Sequence, residues 1–213
     1  IAEHSETASL HFNLGLNYME IGNTRKAREE FKKTIDLNPA HAKAYQGLAL
    51  IYYEREQYKH AAAYYLATID AGKQDELVYY KLGSSYFRMK RYDDAAEQYQ
   101  QAIVLNATEK QYHYGLGLAY LYNEHYLKSI KVLQKALEID PDFLDAQYHI
   151  CVNYLKISAY DDCIAEAQKI LKRADDYAKA YLIIGHAYKR MGQYAEAAQY
   201  QKQAERLDPS LRQ

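Results

Sequence analysis

Laid over itself at an offset of 34 residues, the chain matches its own pattern from Ala8 to Leu211. Leu14-Gly15 recurs as Leu48-Ala49, Leu82-Gly83, Leu116-Gly117, Ile150-Cys151 and Ile184-Gly185. Four residues beyond each leading leucine or isoleucine stands a tyrosine: Tyr18, Tyr52, Tyr86, Tyr120, Tyr154 and Tyr188. Six copies follow one another without insertion or deletion, over residues 8–41, 42–75, 76–109, 110–143, 144–177 and 178–211. A unit this short cannot bury its own apolar face and is stable only when stacked on neighbours. Residues 1–213 are therefore read as a single array.

Numbering each copy from 1, positions 4, 7, 8 and 11 are apolar or small at the spacing of one helix face. A second such run occupies positions 20, 24 and 27, as in Ala27, Phe31 and Thr34 or Ala95, Tyr99 and Ala102. Polar turns such as Ile21-Gly22-Asn23 separate the runs, and Asp93 and Asp161 just beyond the turn suit a helix N-terminus. The only prolines, Pro39, Pro141 and Pro209, share position 32, where they end the second helix. The fold is predicted to be all-α, with twelve helices in six antiparallel pairs.

A formal charge of −1 leaves no basic excess to neutralise phosphates, so nucleic acid is not the expected partner. No uninterrupted apolar stretch is long enough for a membrane span. The chain opens on Ile1 and carries no signal-peptide core, which reads as a trimmed N-terminus and leaves cytoplasm and periplasm both open. Carboxylates such as Asp36, Glu97 and Glu166 fall on polar helix faces, no Gly-rich phosphate loop occurs, and no metal-ligand spacing is present. The chain is accordingly read as non-enzymatic, with no catalytic, cofactor or metal residues.

The recurring aromatic-x-x-Leu-Gly-x-x-Tyr, then Ala, aromatic, Ala and Pro, resembles the tetratricopeptide repeat (TPR) over almost the whole chain. His11, His113 and Gln147 depart from the aromatic at position 4, and Lys73, Ala107 and Asp175 from the proline. The resemblance implies an α-solenoid wound as a right-handed superhelix, with first helices lining a concave surface. Two binding modes known in that family are not matched. The clamp for chaperone tails would need Lys and Asn where Phe12 and Leu16 stand, and the asparagine ladder of sugar transferases has only Asn13. The first copy, from Leu14 to Pro39, is also similar to the opening repeat of the pilotin lipoproteins of type IV pilus assembly.

On that architecture, positions 5, 9 and 12 face the groove. In the first three copies the stripe reads Phe12, Leu16 and Met19; Gln46, Leu50 and Tyr53; and Tyr80, Ser84 and Phe87. In the last three it reads Tyr114, Leu118 and Leu121; Tyr148, Val152 and Leu155; and Leu182, His186 and Lys189. Fourteen of these eighteen are apolar or aromatic, which a solvated face would not be. Tyrosine at positions 5 and 12 is common as framework, so the apolar residues at position 9 carry the argument. Inward packing in a tightly wound or self-associating coil is the competing reading. At the groove edge, position 13 runs Glu20, Glu54, Arg88, Tyr122, Lys156 and Arg190, which would orient a partner with its acidic portion toward the later copies.

The expected function is a scaffold that captures an apolar or amphipathic segment of a partner protein or peptide and assists assembly or localisation. The alternatives are a targeting or substrate-recruiting region of a larger enzyme, and a pilotin-like assembly factor. Self-association through an end of the array is a further expectation. Cys151 and Cys163 occupy positions 8 and 20 of one copy, where the two helices of a hairpin cross closely. Free buried thiols are the preferred reading there, with a disulfide as the alternative.

Overall fold

The computed structural model describes residues 2–211, with side chains described from Glu6 onward. Among these residues it contains twelve α-helices and a short C-terminal 3-10 turn. The first three hairpins pair α1 (Ala2–Glu20) with α2 (Thr24–Leu37), α3 (Ala42–Glu54) with α4 (Tyr58–Asp70), and α5 (Glu76–Arg88) with α6 (Tyr92–Leu105). The last three pair α7 (Lys110–Tyr122) with α8 (Tyr126–Ile139), α9 (Leu144–Lys156) with α10 (Tyr160–Leu171), and α11 (Ala178–Arg190) with α12 (Tyr194–Leu207). The helices cluster into two compact units, residues 1–107 and 108–213, each holding three hairpins. From the second copy on, every first helix begins at position 1 and every second helix at position 17, the register expected from the repeat.

One turn serves all six hairpins. Position 15 has positive φ in every copy: Gly22 at 73°, Glu56 at 58°, Lys90 at 61°, Glu124 at 60°, Ser158 at 62° and Gly192 at 80°. In each, the position-16 amide donates to the carbonyl of the position-11 tyrosine, and the position-15 amide to the carbonyl of position 12. This is the Schellman end, which satisfies carbonyls that the last helical turn would leave open. Only two copies supply the glycine that this conformation favours. A left-handed residue other than glycine costs about 1–2 kcal/mol, of which glycine's extra unfolded-state entropy takes back about 0.4–1. Lys90→Gly is therefore expected to raise stability by roughly 0.5–1 kcal/mol, measured by urea denaturation.

Second helices end on a side-chain device. Asn38, Asp140 and Asp208 at position 31 accept the amide two residues on through Oδ1, at 3.1, 3.0 and 3.0 Å, and proline follows each. Asp93 and Asp161 lie in the first turns of α6 and α10, where a carboxylate complements the helix dipole.

Packing within each unit uses two faces of the first helix. Gly15, Gly83 and Gly117 lie against the position-24 side chain of their own second helix, and an added Cβ would meet Phe31 at 2.6 Å, Tyr99 at 3.0 Å and Leu133 at 2.6 Å. The other face, positions 3, 7 and 10, packs on the second helix of the preceding copy. Ala44, Leu48 and Ile51 thus join Ala27 and Phe31 in the first unit, and Ala146 and Ile150 join Ile130, Leu133 and Ala136 in the second. Positions 3 and 10 were absent from the sequence reading of the core. In the first copy this face meets no earlier hairpin, and Leu10 and Leu14 are 69% and 39% exposed.

The position-11 tyrosines are less buried than their register suggests. Only Tyr86 is enclosed, while the deeply buried tyrosines are Tyr65 and Tyr99 at position 24. At two of the three positions 4 that lack the aromatic, a carboxylate at position 23 answers it: His11 Nδ1 lies 2.5 Å from Glu30, and Gln147 Nε2 donates to Glu166 at 3.0 Å. Burial alone would raise the Glu30 carboxyl, but its contacts with Lys33 and His11 outweigh this and hold it below its ordinary value. Ser129 Oγ donates to the Gly117 carbonyl at 2.7 Å and accepts from Asn153 Nδ2 at 2.9 Å, a buried polar link between the fourth and fifth copies.

Candidate functional site

In the first unit, the 5/9/12 face of the first helices forms an open cavity of about 380 Å³. Phe12, Leu16, Met19 and Leu50 wall it, and Leu16 is 40% exposed. Phe12 is held by Phe31 and by the His41 ring, with centroids 5.8 and 4.6 Å away. Lys43, Lys73, Lys81 and Leu77 also line it, with Gln46, Gly47 and Tyr65. Lys73 is engaged, donating to Gln46 at 2.6 Å and lying 3.0 Å from Asp75. Lys81 rests over the Tyr53 ring, 5.3 Å from its centroid.

Four expected residues of this unit take other roles. Tyr80 packs on Tyr99 at 5.7 Å, and Tyr53 and Phe87 set their rings edge-on to Tyr58 and Tyr92 at 5.4 and 5.5 Å. Arg88 lies over Tyr58 and 3.6 Å from Glu56, so its charge is already answered.

The second unit has two cavities on the corresponding face. One, of about 530 Å³, is lined by Leu121, Tyr122, Tyr148, Val152, Lys156 and Lys179, together with His149, Glu124 and Tyr126. The other, of about 470 Å³, is lined by Leu155, His186, Lys189, Arg190 and Tyr194. Leu121 is only 7% exposed, though it belongs to the lining of the first of these cavities. Leu118 is half-buried and Tyr122 is exposed. Tyr114 turns toward Phe143 and His149, 4.8 and 5.6 Å away, and lines neither cavity. Burial holds the His149 imidazole below its ordinary value.

The sequence reading missed Lys43, Leu77 and Lys179 at position 2, and Lys81 at position 6. They were legible, since position 2 precedes 5, 9 and 12 on the same helical stripe. Cys151 and Cys163 are free thiols buried in one core cluster. Burial raises both, Cys163 to about 12, which disfavours the thiolate form. Among the described residues no three His, Cys, Asp or Glu side chains gather as a metal site requires, and no helix is long and apolar enough to cross a membrane.

Stacked helical hairpins with an open apolar stripe on their first helices define an α-solenoid repeat protein. The tetratricopeptide repeat signature matches residues 12–76, 80–142 and 178–211, and the chain belongs to that family of protein-interaction scaffolds. Solved structures of the same fold include the MamA protein, with 24% identity, a TM-score of 0.71, and coverage of 79% of this chain and 92% of that one. YrrB, described as a TPR protein with an unusual peptide-binding site, has 19% identity and a TM-score of 0.68 over 84% of this chain and 92% of its own. Pseudomonas aeruginosa pilF has 21% identity and a TM-score of 0.69, covering 97% of this chain and 94% of its own. At these identities the likeness is one of fold. No curated protein matches the chain.

Proposed function

We propose that this chain is a non-enzymatic scaffold that captures an apolar or amphipathic peptide segment of a partner on the 5/9/12 face of its first helices. The observation that carries the reading is the accessibility of position 9. Leu16 is exposed, and Leu50, Leu118 and Val152 are half-buried, although this chain's helices had every opportunity to cover them. Apolar side chains left open beside aromatic walls offer a peptide low-entropy anchors. The peptide-binding site attributed to YrrB, a relative in fold, supports the same use of the scaffold.

The test is direct binding of a labelled amphipathic leucine-rich peptide by fluorescence anisotropy. Leu50→Asp and Leu118→Asp are each expected to weaken it at least about tenfold, the worth of one well-buried apolar anchor, with the circular dichroism of the helices unchanged. Unaltered affinity in both variants would remove the groove. A pilotin-like role is the second reading, favoured by the likeness of the first copy and by the near-complete mutual coverage with pilF. A pull-down with a secretin subunit decides it, and no retention of the subunit ends that reading.

A further inference from the structure

We propose that the 5/9/12 face of the second unit takes a peptide segment that is acidic as well as apolar, with carboxylates set between its apolar anchors. The inference rests on the peptide-binding reading above and names the chemistry of the ligand in one unit. Its basis is the placement of charge. Lys156 and Arg190 at position 13, Lys179 at position 2 and Lys189 at position 12 all line the two cavities beside Leu155, Val152 and Tyr148. All four cations are exposed. Among the described residues the ion pairs of this unit lie elsewhere, joining Lys110 to Asp140, Lys135 to Glu138 and Lys169 to Glu166. Glu124 is the one carboxylate among the residues lining these cavities.

The first unit differs in degree: its Lys73 and Arg88 are answered by Asp75 and Glu56, while Lys43 and Lys81 also line its cavity. With a whole-chain formal charge of −1, the positive strip is local and not a reflection of composition; within it Lys179 lies over the Tyr148 ring, 5.8 Å from its centroid. His186 registers the same field from within: burial, then Lys189 and Arg190, hold its imidazole below the ordinary value. Tyr194 from α12 and Leu155 from α9 face the same cavity and bring no negative charge to offset it. An acidic side chain docked there would gain Coulomb energy next to low-dielectric apolar walls, where it counts for more than in open water. The apolar walls between the cations favour a peptide over nucleic acid, whose backbone needs a continuous basic track.

The experiment uses the full chain and three labelled probes: an amphipathic leucine–glutamate peptide, its leucine–glutamine counterpart, and a single-stranded oligonucleotide. The glutamate peptide is expected to bind about tenfold tighter at low salt, with the difference shrinking as ionic strength rises. In the Lys156→Gln, Lys189→Gln, Arg190→Gln triple variant the two peptides should bind alike. Equal affinity of both peptides for the unmodified chain overturns the inference and leaves the peptide scaffold standing. Binding of neither peptide removes both readings together. Displacement of the glutamate peptide by the oligonucleotide at comparable concentration also overturns the inference, because it would show a site for polyanions at large.

Discussion

Ile150→Asp is expected to unfold the fourth and fifth hairpins, whereas Leu14→Asp, at the same repeat position, should leave stability within about 1 kcal/mol of the parent. Ile150 is 1% exposed and sits among Ile130, Leu133, Ala136 and Ala146, with no cation in the cluster to answer a carboxylate. A charge left without a partner there costs at least about 3–5 kcal/mol, a large part of the 5–15 kcal/mol that holds a domain together. Leu14 is 39% exposed and an aspartate there keeps its water. Circular dichroism should show a clear loss of helix for the first variant only, and hydrogen exchange should place that loss in α8 and α9. Equal effects at the two positions would mean that the 3/7/10 face does not carry the stacking.

The second large effect centres on Phe31, fully buried between two glycines. A Cβ on Gly15 would lie 2.6 Å from one side of its ring, and a Cβ on Gly47 2.7 Å from the other. Phe31→Ala is expected to cost about 3–5 kcal/mol, since the empty space cannot be filled by its rigid neighbours. Gly15→Ala should cost about 1–3 kcal/mol by overpacking. In a Phe31→Leu background the same Gly15→Ala change should cost far less, giving a coupling of about 0.5–3 kcal/mol in a double-mutant cycle from chemical denaturation. Additive effects would show that the glycine and the ring are not one packing unit.

Helix count, hairpin pairing and register were legible because the repeat averages six independent trials of each position. Small residues at positions 8 and 20 and the aromatic or leucine at 24 survive that averaging, and all but Gln201 are buried. Positions 3 and 10 were hidden because chemistry varies there while, from the second copy on, burial does not. Ser85 and Asn153 at position 10 are buried as fully as Ile51. Ser85 donates to the Lys81 carbonyl, and Asn153 Nδ2 donates to Ser129 and to the His149 carbonyl, leaving only the Asn153 Oδ1 without a partner among the described residues. Polarity in the column therefore reads as solvent exposure when it is internal bonding.

The candidate face was legible in outline and not in detail. Periodicity finds the stripe, but which members stay open depends on the size of side chains in adjacent hairpins. Leu121 is only 7% exposed, and Tyr80 packs on Tyr99, whose hydroxyl donates to Ser84 at 3.2 Å. The left-handed turn at Lys90 was invisible for a different reason. Its conformation is imposed by the two hydrogen bonds that close the helix, and a lysine tolerates it at a cost without signalling it.

The pairing of His11 with Glu30 and of Gln147 with Glu166 keeps these two exceptions to the motif inside their own hairpins, while Ser129 and Asn153 tie one hairpin to the next. The first kind of bond travels with a hairpin that is cut out and moved, and the second is severed. Chimeras joined between Asp140 and Leu144 should thus misfit unless both polar partners are transplanted together, which makes that seam the poorest place to recombine this chain.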